Sequence, residues 1–208
     1  MAYIKWAFII VFWVFVAAFL HYTLPQHDIV RITDTYEKRV DPGENSLFWA
    51  QADVGSDGTL PTRDVFFIQT VDVDGDIMVY RNEDTGWGWP PYFKFDTSNL
   101  YAEASDMKST ADAPRWVAVR HYGWRNEFIS IFPNALSVLE VDSPDTQIIP
   151  WMNIAILVTL FALFWAVRVR WKRFQAKRID PVVQSVEDKI DDGGDWLKET
   201  LGTDKKKT

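Results

Sequence analysis

The chain has no cysteine among its 208 residues, which excludes disulfides, thiolate metal sites and catalytic thiols. Histidine is nearly as scarce. His21, His27 and His121 lie far apart, and none stands at a metal-ligand spacing from another. No Gly-x-Ser-x-Gly elbow, phosphate-cradling glycine loop or dinucleotide fingerprint occurs, so no residue pattern asks for a metal or a cofactor. Internal repeats and low-complexity tracts are missing too. Aromatic residues are abundant, with 11 Trp and 14 Phe. Those outside the apolar segments must fill a core or line a surface.

Two apolar segments, Trp6–Leu24 and Ile148–Val167, bracket a long polar stretch. Each has about the 20 residues that a bilayer-spanning helix needs at 1.5 Å per residue. The net charge of −7 is unevenly spread. Residues 21–150 carry 10 Lys/Arg against 21 Asp/Glu, whereas 168–178 carry six cations and no acid. Basic loops stay on the cytoplasmic side, so the expected topology is two-pass, with both termini cytoplasmic and the acidic middle exported. Lys5 agrees with a cytoplasmic start. The expected divisions are a first span over 4–24, a β-rich periplasmic domain over 25–147, a second span over 148–169 and a basic, amphipathic tail over 170–208. Val16-Ala17-Ala18 also admits signal-peptide cleavage after Ala18, although the bulky Phe19-Leu20 run beyond it favours a retained anchor. An acidic middle argues against nucleic acid as a partner.

Neither span has an ionisable residue at mid-depth, so no proton relay or ion path is visible. Small residues line one face of each, Ala7 and Ala18 in the first and Ala155, Thr159, Ala162 and Ala166 in the second. Such faces let helices approach closely in lipid, so the spans are expected to pack on each other or on copies, unless the alanines are scattered by chance. Arg168, Arg170, Trp171, Lys172, Arg173, Lys177 and Arg178 form a membrane-surface cluster suited to anionic lipid headgroups. Topology signalling explains the same cluster. Beyond it, Asp180-Pro181 starts a short amphipathic helix carrying Val183, Val186 and Ile190, and Trp196, Leu197 and Leu201 start another.

The exported stretch reads as seven strands: Asp28–Ile32, Tyr36–Val40, Asp64–Val71, Ile77–Arg81, Arg115–Tyr122, Phe128–Phe132 and Leu136–Val141. Val65-Phe66-Phe67-Ile68 is apolar on both faces, as in a buried central strand. One helix interrupts them, capped by Asp96, Thr97 or Ser98, with Leu100, Ala104 and Met107 as its apolar stripe. Strands, one helix and more strands is the order of a small barrel of the oligonucleotide/oligosaccharide-binding (OB) type. The fold class is thus an α+β membrane protein with an OB-like periplasmic barrel.

The densest cluster of candidate residues is Arg81–Phe95. Pro90-Pro91 stiffens it, and Trp87, Trp89 and Tyr92 could form a shelf for a sugar ring, lipid headgroup or peptide, with Glu83 and Asp84 beside it. The competing reading is that these rings plug one end of the barrel. His121 and Arg125, in Arg120-His121-Tyr122-Gly123-Trp124-Arg125, complete the candidate ligand-binding set. Glu83 or Asp84 could meet His121 as an acid/base pair, although a structural histidine is the simpler reading. Asp72, Asp74, Asp76 and Glu83 imitate a calcium loop, but Ile77 stands where its glycine belongs, and a hairpin turn at Asp74-Gly75 explains the residues better.

Three runs carry a family resemblance: Arg81–Asp96 (RNEDTGWGWPPYFKFD), Arg120–Arg125 (RHYGWR) and Ser130–Ala135 (SIFPNA). Together with the span ending in His21-Tyr22-Thr23-Leu24-Pro25, they resemble the alphaproteobacterial "protein of unknown function 1523" family over most of residues 1–165. The resemblance implies an inner-membrane protein of Gram-negative bacteria and supplies no catalytic residue. The residues therefore point to a non-enzymatic envelope accessory or binding module whose aromatic shelf contacts a partner protein, lipid or cell-wall glycan. An envelope hydrolase or transferase using Glu83, Asp84 and His121 is the first alternative, and a structural subunit engaging a membrane-protein partner through its spans is the second.

Overall fold

A computed structural model describes residues 2–40, 48, 63–179 and 190. The chain divides into two units, residues 1–150 and 151–208. The first opens with helix α1 (Ala2–Thr23), followed by strands β1 (Gln26–Val40), β2 (Arg63–Val71) and β3 (Ile77–Asn82), helix α2 (Thr97–Asp106), and strands β4 (Trp116–Tyr122) and β5 (Asn134–Val141). The second contains helix α3 (Trp151–Phe174), which passes into a π-helical turn, Gln175–Ile179. The fold is α+β. Both α1 and α3 are long and apolar enough to cross a membrane. α3 continues unbroken through the basic cluster as far as Phe174, and none of its residues is buried. The tail helices expected beyond Asp180 lie outside the described residues, Ile190 apart.

The five strands close into a barrel in the order β1-β2-β3-β5-β4. All pairings are antiparallel except β3 with β5, which meet in parallel at Arg81 and Asn134. β1 replaces the two short strands expected at 28–32 and 36–40. Its pairing with β2 slips between Ile32 and Asp34. Buried positions fall at Val30 and Ile32 before the slip and at Thr35 after it, because one extra residue in a strand shifts which side chains face inward. The strand therefore bends around the barrel and serves both neighbours. The strand expected at 128–132 is instead a turn closed by a bridge between Asn126 and Ile131.

Val30, Ile32, Ile68, Tyr80, Val117, Val119 and Val138 fill the barrel, and α2 covers it with Leu100 and Ala104. Asp96 caps α2 by accepting the Asn99 N–H at 2.9 Å. β2 is buried on both faces, as its apolar run implied. Ile68 points into the core, while Phe67 stacks on Tyr36 and meets Phe132 edge-on in a second cluster. Asp72 and Gly75 turn the β2–β3 hairpin. The Asp72 carbonyl accepts the Gly75 N–H, its carboxylate accepts the Asp76 N–H, and Gly75 sits at φ +92°. The flanks of the acidic loop are strands, not the helices of a calcium hand.

Candidate functional site

The three aromatic and polar runs converge where α1 hands the chain to β1. The Tyr22 carbonyl accepts the N–H of Gly123 at 2.9 Å. Gly123 is held at φ +95°, and a Cβ there would stand 3.5 Å from Pro133 Cα and 3.7 Å from the Tyr22 ring, so only glycine fits without strain. Tyr22 packs edge-on against Tyr122 and Trp124. Trp124 donates its indole N–H to His21 Nδ1 at 2.9 Å. Tyr92 donates its hydroxyl to the Thr23 carbonyl, and Phe19 stacks on Trp89 with ring centroids 5.8 Å apart. The end of α1 is thus docked onto one mouth of the barrel by both loops.

Between this end of α1 and the barrel lies a cavity of about 350 Å³, lined by Phe15, Ala18 and Phe19 on one side and by Trp89, Tyr122 and Trp124 among others on the facing side. Arg81 forms its polar wall. Its guanidinium is buried, 3.1 Å from an equally buried Glu83 carboxylate. Asn134 holds Glu83 in place, accepting its N–H at 2.9 Å and donating to its carbonyl. Burial pushes the Tyr122 phenol up, partly offset by the adjoining Arg81 charge and by a hydrogen bond from Asn134.

Lys94 lies behind that wall. Its ammonium donates to Asn82 Oδ1 and, at 2.7 Å, to the Ala135 carbonyl. Burial drives its pKa down to about 7, against the opposing pull of Asp84 and Glu83. Asp84 is shifted upward, chiefly by burial, with Lys94 and the Thr97 backbone acting the other way. Asp84 also keeps one buried carboxylate oxygen without a hydrogen bond.

The carboxylate that reaches His121 belongs to Asp28. Asp28 Oδ2 lies 2.8 Å from His121 Nε2 and accepts the Tyr80 hydroxyl at 2.6 Å. Burial raises the Asp28 pKa, but the His121 and Tyr80 hydrogen bonds and the histidine charges outweigh it, and the net shift is downward. Burial pushes the Tyr80 phenol far above its ordinary range, so Tyr80 remains a donor. Tyr80→Phe is expected to destabilise the protein by about 1.5–3 kcal/mol, the range for a hydrogen bond to a charged group. A thermal melt of the purified full chain measures this, and an unchanged melting temperature would show that the hydroxyl contributes nothing.

The remaining candidates separate. Trp87 is 83% exposed and Trp89 67% exposed, so they do not plug the barrel. Trp87 meets Phe93 and Phe95, themselves exposed, in an aromatic surface outside it. Arg125 is engaged within its own loop. It donates to the Asn126 and Ile131 carbonyls at 3.1 Å and lies 4.4 Å above the Phe132 ring. Asp28 and Tyr80 stand outside the three aromatic and polar runs of the sequence, and strand pairing brings them to His121. Asn82, Lys94 and Asn134 stand inside those runs, where nothing marks them apart.

The family described as "Protein of unknown function (DUF1523)" matches this chain over residues 1–175. The chain belongs to the DUF1523 family. That match takes in α1, the barrel and the whole of α3, so the docked mouth and its cavity lie wholly within the family's span. A relative from Haemophilus influenzae, described as "Uncharacterized protein", is 39% identical over 151 residues, covering 71% of this chain and 82% of its own length. No solved structure matches.

Proposed function

We propose that this DUF1523 protein is a non-enzymatic, two-pass inner-membrane protein whose periplasmic barrel is a binding module seated on the bilayer by its aromatic mouth. Its barrel is of the OB type: strand order β1-β2-β3-β5-β4, a parallel β3–β5 contact and a helix between β3 and β4 all support this. The charge asymmetry around α3 supports cytoplasmic termini, and the basic cluster after it suits anionic headgroups. Three of the titratable groups are held by fixed partners, Glu83 by Arg81, Lys94 by Asn82 and the Ala135 carbonyl, and His121 by Asp28. That favours binding over acid/base chemistry.

The observation that carries the reading is the stack of Trp89 on Phe19. Phe19 lies four residues before the end of α1, about 6 Å along the axis toward the bilayer centre. A ring packed there sits at headgroup or upper-chain depth, where tryptophan concentrates. Trp87, Phe93 and Phe95 form a second exposed aromatic group in the same loop, and a lipid interface accepts them where water would not. Because the chain has no cysteine, single labels are clean. An environment-sensitive fluorophore on Trp87→Cys, in vesicles of phosphatidylethanolamine and phosphatidylglycerol, is expected to emit as in lipid and to be quenched by nitroxide-bearing lipids. The same label on Ala111→Cys, exposed just before the start of β4 and so far from the mouth, is expected to report water. A water-like signal from position 87 would refute the seating.

A further inference from the structure

The cavity at the mouth has two walls of different origin. Phe15, Ala18 and Phe19 belong to the apolar helix, whereas Trp89, Tyr122 and Trp124 belong to the barrel. Phe15 lies eight residues before Thr23, about 12 Å along the helix axis, within the roughly 15 Å that one leaflet contributes to the hydrocarbon core. The cavity therefore spans the depth of ester groups and upper acyl chains. Its volume of about 350 Å³ falls in the lower part of the range for small-molecule sites, roughly 300–1,000 Å³.

We infer that this cavity is a lipid site that takes one acyl chain of a phospholipid from the surrounding outer leaflet, with the chain's ester end at Arg81. The inference rests on the seating of the barrel proposed above. The lining chooses the ligand. Aromatic and apolar side chains make up most of it and offer little to the hydroxyls of a glycan. At the polar end, Arg81 and Glu83 cancel as a buried pair at 3.1 Å, so an uncharged oxygen suits the site better than an anion. With the barrel seated on the bilayer, the helix wall of Phe15, Ala18 and Phe19 stands among the lipid chains, so a lipid reaches the cavity by lateral diffusion, while a soluble peptide or sugar would have to cross the interface.

The test uses the full chain in mild detergent with palmitoyl-oleoyl phosphatidylglycerol added, read by native mass spectrometry. One retained lipid per chain is expected. Ala18→Trp fills the cavity from the helix side and is expected to lower retention about tenfold or more, as the loss of even a few buried methylenes implies. Ala17→Trp places the same bulk at an exposed position that does not line the cavity, and is expected to leave retention unchanged. The position-87 label, read in each variant, verifies that the barrel keeps its seat. No retained lipid in the parent chain, equal retention in Ala18→Trp, or retention of a disaccharide-peptide wall fragment with the same dependence on Ala18 would each overturn the inference. If the label still reports lipid in those cases, the seating survives and only the lipid site falls. If it reports water, both fall.

Discussion

Glu83→Ala is expected to destabilise the barrel by about 3–5 kcal/mol, the cost of removing one partner of a buried ion pair. Arg81 and Glu83 side chains are only 2% and 7% exposed, so water cannot replace the lost carboxylate around the guanidinium. A domain of this size has roughly 5–15 kcal/mol of stability in all, and the variant should unfold at far lower denaturant. The paired replacement Arg81→Met with Glu83→Leu removes both charges together and is expected to recover much of the loss. Denaturant unfolding of the full chain in micelles, followed by tryptophan fluorescence, reads all three proteins. A single variant within about 1 kcal/mol of the parent would mean that solvent reaches the pair.

Stability is expected to rise with pH between about 7 and 9, by up to roughly 1.4 kcal/mol per unit. Lys94 is the cause. Folded, it releases its proton near pH 7, whereas unfolded it holds that proton to its ordinary 10.5. Between those values unfolding takes up a proton, so raising the pH favours the folded state, and below about pH 7 this gain is gone. Asp28 and His27 are shifted downward from ordinary values that already lie below this window, and burial shifts Asp84 upward, which works against the Lys94 gain. The raised Tyr80, Tyr92 and Tyr122 phenols work in the opposite direction only above pH 10. Lys94→Met is expected to flatten the profile and to be relatively more stable at pH 7. A parent chain whose melting temperature is level from pH 7 to 9 would place the ammonium in water.

Much of the fold was legible beforehand because local patterns and tertiary demands agree there. The run Val65–Ile68 reads as buried on both faces, and it is: one side packs into the barrel and the other against Tyr36 and Phe132. Asp96 and the Leu100/Ala104 stripe announce α2, and Asp74-Gly75 announces the hairpin, since caps and tight turns are set by a few neighbouring residues. The single long β1 was not legible, because its bulge at Thr33 breaks the alternation that marks a strand. Phe128–Phe132 has a strand's composition, yet Arg125 ties that loop into a turn by contacts that periodicity does not reveal.

For the site, the aromatic run 87–92 was visible as a candidate, but whether it faces outward or plugs the barrel depends on how the mouth closes. The partner of His121 was read as Glu83 or Asp84, both nearer in sequence than Asp28, which lies 93 positions away across the β1–β4 pairing. What the sequence determined alone is a polar, acidic domain between two apolar segments, a cysteine-free chemistry and a β-rich order with one helix. These follow from composition and short-range pattern. Tertiary structure alone decided that Arg81 meets Glu83 in the interior, that Lys94 is buried, and that the end of α1 forms one wall of a cavity. Each of these depends on strands distant in sequence closing into a barrel, and closure sets which side chains lose water.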